Sequence, residues 1–246
     1  MKLYSYISGN KNQLVDIHVH SHFSDGMNSI DEIVKAAVEK KLEVIAFTDH
    51  VWRTSEWINK YFDEIKKMRI QYPQLHILAG LEAKVINCRG DVDVNPDVRE
   101  KVDFIMGVVH RFLPEENIDL AQLLPQNAAK LETELILRML DKEHIDIIGH
   151  PMRTYYKFHY GKSTDKIFPQ EMILEIIKKG VQVGKPLEYN SKLPFRETFL
   201  KMLCLADAQF ILGTDSHALD EFRQVNHRQL FEEIENMKRE LRCVPK

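Results

Sequence analysis

Asp16-Ile17-His18-Val19-His20-Ser21-His22-Phe23-Ser24-Asp25-Gly26 is the stretch on which the reading of this chain turns. Three histidines and two aspartates fall within ten residues, on an apolar run that starts at Leu14. In an extended strand, residues two apart project to the same side. His18 and His20 can therefore reach one cation together. Neutral imidazole is the commonest protein ligand for zinc and also suits iron and other first-row metals. The stretch points to a protein that holds metal and carries out hydrolytic chemistry.

Outward from it, short apolar runs alternate with helical patterns. Leu14 to Val19 reads as a strand, and Ser29-Ile30-Asp31-Glu32 as a capping box that opens a helix with Ile30, Ile33, Val34, Ala37 and Val38 on one face. Leu42 to Phe47 is a second strand, running into Thr48-Asp49-His50. A helix carrying Trp57, Ile58, Tyr61, Phe62, Ile65 and Met68 precedes a strand over Leu75 to Leu81 that ends at Glu82. Val102 to Val109 ends at His110. A helix over Asn127 to Asp141 leads to Ile145 to Ile148, which runs into Gly149-His150-Pro151. Pro169 opens another helix, Pro186 to Tyr189 ends at Asn190, and Phe195 to Ala206 is helical. Gln209 to Leu212 runs into Gly213-Thr214-Asp215-Ser216-His217, and a charged helix follows.

Seven strands alternating with helices predict a parallel sheet with right-handed crossovers. Metal-ligand residue types end nearly every strand. That favours a closed or nearly closed, distorted seven-stranded βα-barrel over an open sheet, because barrels collect their sites at the C-terminal strand ends, whereas an open sheet enriches only its switch point. No strand-helix junction carries a glycine-rich nucleotide fingerprint. The expectation is a single α/β domain over residues 1–246.

The strand ends gather His18, His20, Asp25, His50, Glu82, His110, His150, Asp215 and His217. About four to six ligands saturate one cation, so nine imply two or three metals, with Glu82 a candidate bridge. Each residue alone has a plainer explanation. A strand-end histidine can be a hydrogen-bonded structural residue, Asp25-Gly26 a turn, Asp49 a helix cap and Glu82 a salt-bridge partner. Their coincidence is what points to metal, since buried unpaired charges are costly. His22 reads as a surface residue or a support for a ligand. His159, in Tyr155-Tyr156-Lys157-Phe158-His159-Tyr160, lies in a segment read as a loop that either folds over the site or stands exposed.

Bulk properties narrow the partners. A net charge of -3 gives no global basic field for nucleic acid. Cys88, Cys204 and Cys243 are widely spaced, which fits neither a zinc finger nor a disulfide framework and suggests a reducing, cytoplasmic setting. Met1 to Tyr6 carries no apolar core of a signal peptide, and no run is long enough to cross a membrane.

The ordered series H-x-H, S-D-G, T-D-H, G-L-E, a lone histidine after a strand, G-H-P and G-T-D-S-H, over about residues 14 to 220, resembles the PHP (polymerase and histidinol phosphatase) family. The resemblance implies a distorted seven-stranded barrel, a trinuclear centre of zinc, manganese or iron, and phosphoester hydrolysis. It implies one metal on His18, His20, Glu82 and Asp215, a second on Glu82, His110 and His150, and a third on Asp25, His50 and His217. Asp49 is then expected to orient an imidazole or backbone near His50.

The mechanism expected is hydrolysis of a small phosphomonoester, histidinol phosphate among the candidates, by a metal-bound hydroxide. Glu82, Asp215 and His217 carry the catalysis in this scheme, with no separate general acid assigned. Arg111, Arg153 and Lys192, all just past strand ends, are the candidates to grip the phosphate, with surface charge as the alternative. The competing expectation is a nuclease or phosphodiesterase acting on nucleic acid or nucleotides, like the PHP proofreading domain of bacterial polymerases. The slight negative charge and the lack of a polymerase domain after residue 246 weigh against it. A metal-stabilised scaffold and an amidohydrolase-type C–N hydrolase are further alternatives. A structural site would be closed and four-coordinate, and Glu82 stands where an amidohydrolase would place a carboxylated lysine.

Overall fold

The computed structural model describes residues 14–160, 169–221 and 227–242. The expectations for Met1 to Tyr6, for Cys243 and for residues 161–168 of the anticipated loop lie outside them. Seven parallel strands form the main sheet in the order β1 (Val15–Val19), β2 (Val44–Phe47), β4 (His76–Lys84), β5 (Phe104–Val108), β8 (Ile147–Ile148), β9 (Leu187–Asn190) and β10 (Phe210–Gly213). A two-residue strand, β3 (His50–Val51), pairs with the far end of β4 and sets His50 beside Glu82.

The sheet comes nearly full circle, and the join between its first and last strands is mostly polar. Val19 bridges Ser216, and the His20 amide donates to the Ser216 carbonyl at 2.9 Å. Lower down, the buried Asp16 carboxylate accepts from the Thr214 amide at 3.1 Å and from its hydroxyl at 2.6 Å. Burial pushes the Asp16 carboxyl up to about 7, against the Thr214 hydrogen bonds that favour its anion.

Alternation along β1 explains how one strand serves core and site together. Val15, Ile17 and Val19 join the apolar core, while Asp16, His18 and His20 share the opposite face. Among the described residues, six of the seven α-helices run along the chain at or close to their expected places: α1 (Ile30–Glu39), α2 (Ile58–Gln71), α3 (Pro125–Leu140), α5 (Gln170–Val183), α6 (Arg196–Leu205) and α7 (His227–Arg242). The Ser29–Glu32 capping box forms in full. Tyr61, fully buried on α2, donates to the Gly80 carbonyl at 2.6 Å and fastens that helix to β4.

Two elements occupy ground read as loop. Residues 111 to 127 fold partly into a small antiparallel hairpin, β6 (Phe112–Leu113) with β7 (Ile118–Asp119). Arg153–Phe158 forms a short helix, α4, with Thr154, Tyr155 and Tyr156 buried. His159 is buried after it, with Nε2 2.7 Å from the Leu120 carbonyl. The segment is thus neither an exposed loop nor a free flap, because Tyr155, Tyr156 and His159 are buried and the Thr154 and His159 side chains are tied to neighbouring carbonyls.

Candidate metal centre

All nine strand-end donors converge at the C-terminal mouth of the barrel. Glu82 sits at the middle, almost fully buried, with five imidazoles around it. Its Oε1 lies 3.0 Å from His150 Nε2 and 3.4 Å from His110 Nε2. Its Oε2 lies 2.8 Å from His50 Nδ1, 3.3 Å from His20 Nε2 and 3.6 Å from His18 Nε2. Asp215 Oδ1 completes the inner side, 3.2 Å from His20 Nε2 and 3.6 Å from His18 Nε2. The half-exposed Asp25 forms the outer side, 3.4 Å from His50 Nε2 and 3.3 Å from His217 Nε2.

The donor atoms gather into four overlapping groups: His20, Asp25, His50 and His217; His18, His20 and Asp215; His18, Glu82 and His150; His50, Glu82 and His110. Glu82 and three of the histidines each belong to two groups, and the two oxygens of Glu82 face different sets of rings, as a bridging carboxylate requires.

The chemistry of this cluster fits metal ions. His18 Nε2 and His20 Nε2 face each other at 3.0 Å, where two lone pairs repel unless a proton or a cation lies between them. His20 Nδ1 and His150 Nδ1 are buried without a hydrogen-bond partner, which is costly for polar atoms unless something else satisfies them. Burial opposes charge throughout: it keeps His20 and His110 below the ordinary histidine value, whereas at His18 and Glu82 mutual attraction outweighs it. His18 is raised well above the ordinary histidine value by Glu188, Glu82 and Asp215, and Glu82 is held well below the carboxylate range by His18 and His50.

The backbone is distorted where the ligands leave their strands. His150, after β8, has φ 25°, and Asp215, after β10, has φ 52°. Non-glycine residues adopt such angles at a cost of about 1–3 kcal/mol, which the surroundings must supply. At His150 part of it comes from its amide, which donates to Glu188 Oε2 at 2.6 Å.

Glu188 is the residue that sequence reasoning missed. It is fully buried on β9 and its Oε1 accepts from His18 Nδ1 at 2.9 Å. That hydrogen bond fixes the imidazole so that Nε2 presents its lone pair to the centre, the usual outer support of a metal-bound histidine. The signal was parity: Glu188 and Asn190 alternate with Leu187 and Tyr189, so two polar side chains point into the barrel from an otherwise apolar strand. Gly213 makes room for this pair, since a Cβ there would collide with Glu188 Oε1 and the His18 side chain.

Asp49 departs from its expected role beside His50. It accepts from the amide and hydroxyl of both Ser21 and Ser24, at 2.8 to 3.1 Å. It therefore clamps the loop that delivers Asp25, because four donors of that loop point at it and none of His50 does. His22 is exposed and packs on Phe23.

Of the phosphate-gripping candidates, two reach the mouth. Arg153 pairs with Asp215 Oδ2, and Lys192 Nζ donates to the Asp215 carbonyl at 2.6 Å and to Glu221 at 2.7 Å. Arg111 is committed elsewhere: both arms of its guanidinium hold Asp119 across the β6–β7 hairpin, at 2.8 and 2.6 Å.

Residues 16–192 match the sequence model of the PHP domain. The chain belongs to the PHP family. As a PHP protein it is a metal-dependent phosphoesterase in broad class. It is 26% identical over 216 residues to the DNA polymerase/3'-5' exonuclease PolX of Bacillus subtilis, covering 83% of this chain but only 34% of that longer protein. A probable phosphatase of Clostridium acetobutylicum is 21% identical over 214 residues, 83% of this chain and 79% of that one. Among solved structures, the histidinol phosphate phosphatase of Lactococcus lactis, complexed with zinc, L-histidinol and phosphate, superimposes with a TM-score of 0.67 at 22% identity, covering 93% of each chain. The putative histidinol phosphatase of Listeria monocytogenes gives 0.68 at 15% identity, over 84% of this chain and 96% of that one. These likenesses establish the PHP barrel. Among the described residues of this PHP chain, no helix is long and apolar enough to cross a membrane.

Proposed function

We propose that the chain, residues 1–246 as one PHP-type domain, hydrolyses a small phosphomonoester at a trinuclear centre ligated by His18, His20, Asp25, His50, Glu82, His110, His150, Asp215 and His217. The observation that carries this reading is the ring of five imidazoles around the single buried carboxylate of Glu82. Divalent zinc, manganese or iron held there would supply positive charge for the phosphate oxygens and make water acidic enough to attack near neutral pH.

The chain's own groups prepare that chemistry. Glu188 sets the tautomer of His18, and the Asp215 carbonyl does the same for His217, whose Nδ1 lies 2.9 Å from it. Each ring then offers Nε2 as the ligand atom. Arg153 and Lys192 place two cations at the rim, where they can hold the non-bridging oxygens of a phosphate and direct its ester bond toward the centre. Positioning and charge of this kind account for most catalysis of phosphoryl transfer. Arg111, whose guanidinium holds Asp119 across the hairpin, is not needed in this scheme.

Metal analysis of the purified protein, together with phosphate release over a metabolite panel headed by histidinol phosphate, tests the reading. Glu82→Gln is expected to lose bound metal and reduce turnover by at least about 1,000-fold, since it removes the shared ligand. Full turnover in that variant would refute the bridging role. The likeness to the Bacillus exonuclease gives a second reading, nucleic-acid hydrolysis. Oligonucleotide cleavage whose binding falls steeply with salt, without phosphate release from metabolites, would favour it.

A further inference from the structure

Helix α4 has only six residues and no capping side chain of its own; its N-cap, Met152, is left-handed with φ 64°. An isolated helix of that length does not persist in water. What holds it comes from another element. Glu132, on α3 and 1% exposed, directs both carboxylate oxygens at the first turn of α4, accepting from the Thr154 amide at 3.2 Å and the Tyr155 amide at 2.6 Å. These are amides that a helix start leaves unpaired. Two further ties keep α4 in place: the Thr154 hydroxyl donates to the Val109 carbonyl at 2.6 Å, and His159 Nε2 meets Leu120.

Arg153 is the first residue of this helix, and its guanidinium reaches Asp215 across the mouth. The geometry points to Glu132 as a positioning residue, which caps α4 from outside and so fixes Arg153 where a substrate phosphate is gripped. The inference rests on Arg153 being a phosphate ligand, as proposed above. Nothing in the Glu132 environment is accounted for by the metal ligands. It is buried, it touches no member of the cluster directly, and its two partners are both amides of α4. Burial pushes its carboxyl up to about 8, so the fold keeps this acid at a cost that an apolar residue would not incur.

The test is a double-mutant cycle on the metal-loaded protein, read with p-nitrophenyl phosphate as substrate and with inorganic phosphate, both as inhibitor and by calorimetric binding. Glu132→Gln replaces one acceptor oxygen with an NH2 group that faces an amide N–H. It is expected to weaken phosphate binding and raise KM about tenfold, with kcat changed by less than about threefold and metal content unchanged. Arg153→Ala is expected to weaken phosphate binding at least as much. In the Arg153→Ala background, Glu132→Gln should then add nothing, because the two act through one contact. Glu132→Asp keeps the carboxyl group and should fall between the parent and Glu132→Gln. It carries the same cycle if Glu132→Gln does not fold.

An equal effect of the Glu132 substitution in both backgrounds would overturn the inference, and so would loss of metal with no change in KM. Unchanged phosphate binding in both Glu132 variants, alongside weakened binding in Arg153→Ala, would overturn it while leaving the phosphate reading intact. Unchanged binding in Arg153→Ala would remove the phosphate reading first, and the role of Glu132 with it.

Discussion

At the scale of single residues, the centre depends on groups that never need to touch a metal. Glu188 lies behind His18 and beneath His150, making one hydrogen bond to the ring of the first and one to the amide of the second. The charge of His18 keeps this carboxyl ionised below its ordinary value despite full burial. Replacing it with glutamine keeps the shape but weakens the acceptor that aligns His18. Glu188→Gln should lower metal affinity by about 10- to 100-fold with little loss of fold, measured by competition with a chromophoric chelator. Unaltered affinity would mean that His18 is held by packing alone. The nine candidate ligands were legible because each stands in a short motif, eight of them at or just past a strand end and Asp25 in the loop that follows β1. Glu188 was not, because a lone acidic residue inside an apolar strand has meaning only once the strand's inward face is known. Asp49 was legible as important but not for its true partners, since the Ser21–Ser24 loop comes to it from almost thirty residues earlier in the chain.

At the scale of elements, local signals decided where the helices lie. Ser29 Oγ accepts from the Glu32 amide at 3.3 Å and Glu32 Oε2 accepts from the Ser29 amide at 2.8 Å, as the sequence pattern requires. Ser29→Ala should cost about 1 kcal/mol of stability, seen as a lower urea midpoint with unchanged slope, and leave metal content alone. A loss of metal there would show that the start of α1 also sets the Asp25 loop. The elements that escaped notice share one property. Strands β6 and β7 have two residues each, and α4 has six residues and no cap of its own. Neither carries enough periodicity to read. Their partners, Asp119 for Arg111 and Glu132 for α4, are tertiary, so the sequence shows the residues without showing what they hold.

At the scale of the whole molecule, the barrel gathers side chains from the ends of several strands around one carboxylate, so charge balance at the mouth becomes a property of the fold's stability. His18 is raised well above its ordinary value and His50 to about 10, and His217 is raised as well. Burial opposes each shift. The nearby carboxylates, Glu188 and Glu82 for His18, Glu82 and Asp25 for His50, and Asp25 and Asp215 for His217, outweigh it. A histidine whose folded value is raised stabilises the fold fully below its unfolded value of 6.5, and that contribution is lost as pH rises toward the folded value. Glu82 and Asp215 are lowered, so their contribution is already complete in this range and adds no slope of its own. The metal-stripped protein should therefore weaken steadily above pH 6.5 as imidazolium charges leave a cluster of ionised carboxylates. Divalent cations supply the same positive charge and compete with protons for the same nitrogens, so they bind better as pH rises. The difference in melting temperature between zinc-loaded and chelator-treated protein should accordingly widen from pH 6.5 to 8.5. Thermal unfolding at several pH values, with and without chelator, measures it. A difference that stays constant would mean that protons and metals do not share these nitrogens, and the cluster at the mouth would then be a hydrogen-bonded core instead of a metal centre.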